Sequence, residues 1–449
     1  MELRLLSSFL SKMQVVIICT AIGMSVAIGC LVLYEPLLTF CAVIGLMVVV
    51  YSLIYPERTS LLILLSAAVS IQYIIPISIA GFDLLSIYKL MVIVLIIPYV
   101  LQKGLEWKLL LPLTSFVLLL AISLVFSSAE VSNSMMLKSF IGLSVPFLFL
   151  AVKWKSKTVN QHMKLLCWLA PVSVCIGSLL HLINVYPMFV IEFTGAFRLQ
   201  GASIPSHLAM LACVGFVISL LELKRVPQQM LFFSISASVN FLILLATGTR
   251  GPLIVAILMV IYFIVDMVMQ YVKGRIVLII PILFIFVSTI AAFFLVLDNM
   301  KTRSISDSGV LDTSGRTDAW SFYLERAADT PWFGKGLGSS LEANDGTLYD
   351  GFVVPHNEYI RFYYDTGLIG AVILFLFLCI TFHLVYKQLQ RSLRPYFLCF
   401  IIGFLLYTFT DNTLSTIQFI LPFCWYLSGL YHMSLQFKTK GSIDGNEAT

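Results

Sequence analysis

Apolar runs of 17 to 22 residues recur along nearly the whole chain, each broken off by only a few polar residues. An α-helix needs about 20 residues to cross a bilayer core of about 30 Å. Backbone N–H and C=O groups find no water in lipid, so spanning segments must be helices or closed barrels. A barrel would show alternating strands of about ten residues, and these runs do not alternate. Composition agrees: 59% of the 449 residues are hydrophobic and 11% charged, against roughly 25% charged in soluble domains. A cytosolic enzyme and a secreted domain are thereby excluded, and so is disorder, because disordered chains are poor in apolar residues. The expected fold is an all-α polytopic membrane protein of about 12–14 transmembrane helices, one integral membrane domain over 1–449.

Fourteen candidate spans cover roughly 14–33, 37–55, 59–80, 84–101, 109–126, 135–152, 164–184, 207–222, 230–247, 251–271, 276–297, 366–386, 395–411 and 414–433. With the N-terminus placed inside, the inside segments hold 18 of the 28 basic residues, among them Lys103, Lys108, Lys153, Lys155, Lys157, Lys224 and Arg225. The short outside loops hold almost none, which is the positive-inside pattern and predicts both termini in the cytoplasm. Several spans are short or contain a proline (Pro76, Pro98, Pro146), so one or two could be re-entrant. Residues 298–365 form the one large extracytoplasmic loop, and 438–449 a short polar cytoplasmic tail. The net charge of +5 calls for no nucleic acid. All nine cysteines fall inside apolar runs, with no CxxC or Cys–His spacing. No disulfide framework, metal site or cofactor is expected.

Basic residues on the outside face run against that bias, so each invites an explanation. Arg250 sits in Thr247-Gly248-Thr249-Arg250-Gly251-Pro252 between two apolar helices. It either snorkels to lipid phosphate or forms an anion site facing the bundle interior, since ionisable groups at membrane depth are costly. Gly248 and Gly251 would let a diphosphate approach the backbone, and an arginine can hold phosphate oxygens in a bidentate fork. Arg198 lies in a loop, as a solvated residue or as part of a loop packed onto the membrane. Arg316 opens a helix with Ser314 as candidate N-cap. There Trp320, Tyr323, Leu324 and Ala327 share an apolar face by their spacing, and Arg316 lies on the same face. Gly334-Lys335-Gly336-Leu337-Gly338 reads as a flexible turn, because no strand–helix unit surrounds it.

His356 follows Pro355 and leads through Asn357-Glu358-Tyr359 toward span twelve. Near a helix N-terminus the positive dipole end favours neutral imidazole, and a neutral histidine at the membrane surface can act as a general base. Asp411-Asn412-Thr413 at the last outside turn could support the cavity or simply cap a helix.

At these residues the chain resembles the O-antigen ligase and polymerase superfamily of bacterial envelope polysaccharide synthesis. The resemblance runs over roughly 195–370. It rests on Thr247 to Gly251, Gly315-Arg316 to Trp320, Pro331-Trp332-Phe333-Gly334-Lys335-Gly336-Leu337-Gly338, and His356-Asn357-Glu358-Tyr359 to Gly367-Leu368-Ile369-Gly370. It implies a fold of the GT-C kind and a metal-independent inverting glycosyltransferase in the bacterial inner membrane, with a glycan on undecaprenyl diphosphate as donor. It implies that Arg250, Arg316 and, by a weaker match, Arg198 bind the diphosphate. His356 would activate the acceptor, supported by Asn357, Glu358, Tyr359, Asp318 and Trp320. The implied partners are the lipid-linked glycan, an acceptor glycan or lipid, membrane lipids, and other polysaccharide assembly proteins such as a chain-length regulator. His356-Asn357-Glu358-Tyr359 looks like the polymerase version of the element, while a ligase passing the glycan to lipid A core stays open. A secondary transporter or flippase is the rival from another class. Against it, the sequence shows no repeat, and only Lys89 and Asp266 are charges clearly within spans.

Overall fold

A computed structural model describes residues 36–76, 78–79, 82–126, 131–192, 195–274, 287, 290, 316–343 and 354–444, with backbone alone for 36–42, 78–79, 82 and 434–444. The expected span 14–33, nearly all of 276–297, and the loop stretches 298–315 and 344–353 lie outside the described residues. The rest is an all-α membrane protein.

Its first half contains α1 (Pro36–Ile54), α2 (Pro56–Ser66), the single turn α3 (Ile71–Ile74) and a minimal hairpin β1 (Ser78–Ile79) and β2 (Phe82–Asp83). Then come α4 (Leu84–Lys103), α5 (Trp107–Val125), α6 (Asn133–Leu148), α7 (Ser156–Leu166) and α8 (Leu169–Leu182). A second hairpin, β3 (Phe189–Ile191) and β4 (Phe197–Leu199), leads into α9 (Pro205–Arg225), α10 (Met230–Thr247) and α11 (Arg250–Val272). Beyond these lie α12 (Arg316–Ala327), the short α13 (Ser339–Glu342), α14 (Glu358–Gln388), α15 (Arg394–Thr408) and α16 (Ile417–Asp444). Among the described residues six helices are long and apolar enough to cross a bilayer, and the bent pair α7–α8 makes up to seven.

Helix α9 is the central pole, with every residue from Leu208 to Leu223 buried. Peripheral helices instead show apolar stripes to the outside, such as Ile254, Ile257, Ile261, Ile264 and Val268 on α11. That spacing of three and four is a helix face turned to lipid. Helices α9 and α10 approach closely at Gly215, where a Cβ would meet the Asn240 amide at 2.7 Å. Small residues at such crossings are the usual device of helix packing in membranes.

Two expected spans are broken, each for a reason in the packing. The run 164–184 bends by 54° between α7 and α8. Near the break the Cys167 carbonyl accepts from Ser236 Oγ at 3.0 Å and Asn240 Nδ2 at 2.7 Å. Neighbouring helices thus satisfy a backbone group where the helix is interrupted, which is what makes the interruption tolerable in lipid. The run 59–80 stops being helical at Ser66, because Ser70 is claimed elsewhere. Its N–H donates to Ala202 O at 2.9 Å, and its hydroxyl meets Ser203 Oγ at 2.6 Å. At the C-terminus the last helix carries on to Asp444, into the segment read as a polar tail.

Polar contacts define two ends of the bundle. At one end, Lys155 pairs with Glu57 at 2.5 Å, Arg225 with Glu222, and Lys224 with Asp266. Asp266 also accepts from Tyr396 OH at 2.5 Å and from Gln270. This end carries the lysines assigned to the inside loops. At the other end, β4, the α10–α11 turn, α12, the start of α14 and the α15–α16 turn come together.

Candidate functional site

The turn between α10 and α11 is as tight as its sequence suggests. Gly248 takes the left-handed conformation that ends α10 (φ 61°, ψ 20°), Thr249 is the N-cap, and Arg250 is the first residue of α11. Gly251 has a packing role that the sequence does not reveal. A Cβ there would meet the Tyr407 ring at 2.7 Å and Thr410 Oγ1 at 2.9 Å. The start of α11 is therefore pressed against the end of α15, which sets Arg250 beside the turn carrying Asp411.

Arg198, on β4, is buried and reaches under the same turn. Its Nε donates to Thr247 O at 2.7 Å, Nη2 to Thr249 Oγ1 at 2.9 Å, and Nη1 to Glu192 Oε1 at 2.9 Å. Thr249 Oγ1 also faces Pro205 O at 3.5 Å, so α9 and α11 begin side by side. Helix N-termini carry partial positive charge and exposed N–H groups. Arg250 and Arg198 thus stand where two such ends already favour an anion.

Arg316 is the first described residue of α12, whose buried face is Ala319, Tyr323 and Ala327, with Trp320 beside it. Arg316 falls on that face, as its spacing predicts. Leu324 does not, being exposed. The Arg316 Nε is buried without a hydrogen-bond partner among the described residues, and its charge acts on both Asp411 and Tyr407. Trp320 Nε1 donates to Pro355 O at 2.9 Å, and its ring meets Phe409 edge-on. That contact ties α12 to the residue before His356. Asp318 lies on the exposed face of the helix, away from this group.

His356 does not stand inside the first turn of α14. Asn357 is the N-cap, its side chain accepting from Tyr359 N and Ile360 N, and the helix begins at Glu358. His356 precedes the cap with φ 47°, a left-handed conformation unusual outside glycine. Its Nδ1 lies 3.3 Å from Asp411 Oδ1. The second Asp411 oxygen accepts from Tyr407 OH at 3.2 Å, and Oδ1 also accepts from Asn412 N at 2.8 Å. Burial works to raise the Asp411 carboxyl. The imidazole beside it, the Asn412 N–H and the Arg316 charge outweigh burial and hold it below the ordinary carboxylate range.

Three expected supporting residues turn out to build the platform. Asn357 caps α14. Glu358 is fully buried and accepts from Leu414 N at 2.6 Å, joining α14 to the α15–α16 turn. Tyr359 donates to Leu405 O at 2.9 Å and stacks on Phe375.

The glycine run 334–338 is a fixture of the same platform. Helix α14 breaks at Gly367 (φ 66°, ψ −173°), and the loop splices into the break. Leu368 N donates to Pro331 O and Ile369 N to Trp332 O. The Tyr364 and Asp365 carbonyls accept from Lys335 N and Gly336 N, both at 2.9 Å. The Asp365 carboxylate receives Ser340 N, Ser340 Oγ and Ser339 Oγ. Backbone groups freed by the kink are thus paired again.

Among the described residues, no group of three His, Cys, Asp or Glu side chains is arranged to hold a metal ion. The fold and this site define an all-α membrane protein with a histidine–aspartate pair at one end of the bundle, where the Arg316 charge acts on the carboxylate and the turn braced by Arg198 opens α11 at Arg250. Residues 231–375, which include Arg250, Arg316 and His356, match the family described as O-antigen ligase (Wzy_C). That match supports membership in the O-antigen ligase and polymerase superfamily, glycosyltransferase-like membrane enzymes of O-antigen assembly. Comparison with curated proteins returns no match.

Proposed function

We propose that the protein is a polymerase joining undecaprenyl-diphosphate-linked oligosaccharide repeats on the extracytoplasmic face of the bacterial inner membrane. The observation that carries this reading is the His356–Asp411 pair, with the Arg316 charge acting on its carboxylate and the Arg198-braced turn that begins α11 at Arg250 at the same end of the bundle. A diphosphate-linked glycan is an activated donor that needs no nucleotide, which suits chemistry outside the cell. With Nδ1–H directed at Asp411, the imidazole keeps its lone pair on Nε2. An acceptor hydroxyl gives its proton to Nε2 while its oxygen attacks the anomeric carbon. The carbon–phosphate oxygen bond breaks with inversion, and the diphosphate leaves with the electron pair. Arg250 and Arg316 meet the charge of that leaving group, and Asp411 stabilises the imidazolium. Arginine charge replaces a metal ion in this scheme, so activity is expected to survive EDTA.

The deciding experiment incubates purified protein with a lipid-linked oligosaccharide and follows chain length. Longer chains support the polymerase. Transfer only to a lipid A core acceptor would make it a ligase, and no transfer to either would overturn both. For orientation, both termini are assigned to the cytoplasm and the α12 end to the outside. Asp329, whose side chain is 82% exposed, is the position to label. Asp329→Cys, in a background lacking native cysteines, should react from outside intact cells, and reaction only after permeabilisation would reverse the topology.

A further inference from the structure

At the end of the bundle opposite the site, a cavity of about 310 Å³ opens between α4, α5 and α6. Its lining includes Ile93, Ile97 and Leu101 of α4, Leu110 of α5, and Leu148 and Val152 at and after the end of α6. Every side chain in the lining is apolar. Leu101 and Ile97 are exposed, at 80% and 45%, so the groove faces the bilayer.

Its mouth has a different chemistry. The segment after α4 pairs with the segment after α6 through the bridge Leu105–Val152. Glu106 N donates to Ala151 O at 2.7 Å and Lys153 N to Gly104 O at 3.3 Å. This pairing draws Lys103, Lys108 and Lys153 to the rim of one groove, each within two residues of a lining side chain. Lys155 lies beside this rim, paired with Glu57, whose carboxylate also feels the charge of Lys103. Glu106, the N-cap residue of α5, is the acid within the paired segment itself. Trp107, 75% exposed at the same level, is a side chain typical of the membrane interface.

We propose that this groove binds one anionic phospholipid, an acyl chain lying along the α4–α6 lining and its phosphate seated among Lys103, Lys108 and Lys153. An apolar slot with a basic rim matches the two parts of such a lipid, and basic pockets between helices are known to select anionic headgroups. The topology assigned above decides only which leaflet supplies the lipid, here the cytoplasmic one. Binding itself is independent of the glycosyl-transfer reading.

The test uses delipidated protein in detergent and native mass spectrometry, with phosphatidylglycerol and phosphatidylcholine of identical chains. Phosphatidylglycerol is expected to bind about tenfold more tightly, from one to two effective lysine contacts. Lys103→Gln/Lys153→Gln should bring the two lipids level, while Ile97→Trp, which fills the slot from its lipid-facing side, should weaken both. Glycerol phosphate without chains should fail to compete. Equal binding of the two lipids by the wild type overturns the proposal, as does a preference that survives the double substitution. Competition by glycerol phosphate would make this a free-phosphate site instead. All these readings are made on binding, so they stand whether or not the protein elongates glycans.

Discussion

His356 Nδ1 and Asp411 Oδ1 stand 3.3 Å apart although 55 residues separate them in the chain. The pair joins the segment before α14 to the turn after α15, and Tyr407 fixes the second carboxylate oxygen. In our proposal the aspartate sets the imidazole tautomer and steadies its charge. Asp411→Asn keeps an oxygen for one of these bonds, so the protein should fold and bind the lipid-linked donor. Its elongation rate should fall by about 10²–10⁴, the usual range for lost proton-transfer assistance. Donor binding and chain elongation measured on one preparation check this. Normal elongation would leave His356 acting without the pair.

The same carboxylate makes a statement about stability. Its folded pKa lies below the ordinary value, so the folded state binds this proton less readily than the unfolded chain. Its contribution is therefore fully present above the unfolded value of about 3.9 and is lost as pH falls through the lower folded value. The melting temperature of the wild type should exceed that of Asp411→Asn near neutrality. The gap should narrow below about pH 4. A gap that widened on acidification would mean that burial, and not its partners, governs the group.

Backbone conformation separates chemistry from folding at His356. With φ 47°, the position suits asparagine, which tolerates the left-handed region, and penalises β-branched residues. His356→Asn should melt close to the wild type yet elongate nothing. His356→Val should be less stable by about 1–2 kcal/mol. His356→Ala should bind donor without turnover, measured as donor binding and chain elongation on one preparation. A His356→Asn protein that elongated normally would move the base to another group, with Asp411 the neighbouring carboxylate to examine.

What could be read from the sequence follows a physical line. Arg250 drew attention as a charge between two apolar helices, and Arg316 and His356 through their expected places at helix starts; their roles remain those of the proposal. The membrane class was legible in the apolar runs. Asp411 was not, since an Asp-Asn-Thr turn looks like a helix cap until its partner arrives from another helix. The glycine run 334–338 reads as a flexible turn because the break at Gly367 that it fills lies about thirty residues further on. The span at 59–80 is broken by Ser70 contacts to Ala202 and Ser203, which no local pattern announces. Gly251 also makes room for Tyr407, a packing partner that the local sequence does not announce. Within the spans, Asp266 is held by Lys224, Tyr396 and Gln270, a structural use of the charge that removes part of the case for transport.

Gly251→Ala follows from that packing. A methyl group 2.7 Å from the Tyr407 ring forces α11 away from α15, and overpacking of this kind costs about 1–3 kcal/mol. The shift carries Arg250 with it, so elongation should fall more than stability does. Thermal melting and elongation together test this. Full activity would show that the α11–α15 contact does not set the position of Arg250.

Arg198 and Arg250 offer the sharpest separation of roles. Arg250→Lys keeps the charge but loses the bidentate fork, and removal of one charge-stabilising donor typically costs about 10²–10³ in rate. Arg198 is committed to Thr247 O, Thr249 Oγ1 and Glu192. We therefore read it as bracing the turn that presents Arg250, even where it also lends charge to the diphosphate. Bracing and direct contact differ in their arithmetic. If Arg198 acts through the turn, Arg198→Lys should cost little more once Arg250 is already lysine, giving a coupling energy of about 0.5–3 kcal/mol in a double-mutant cycle on kcat/KM. If each arginine holds its own phosphate oxygens, the two losses should multiply. Arg198→Lys should also lower the melting temperature, because the hydrogen bond to the Thr247 carbonyl at the end of α10 is charge-assisted and worth about 1.5–3 kcal/mol. An unchanged melting temperature with multiplying rate losses would make Arg198 a diphosphate ligand in its own right and end the bracing assignment.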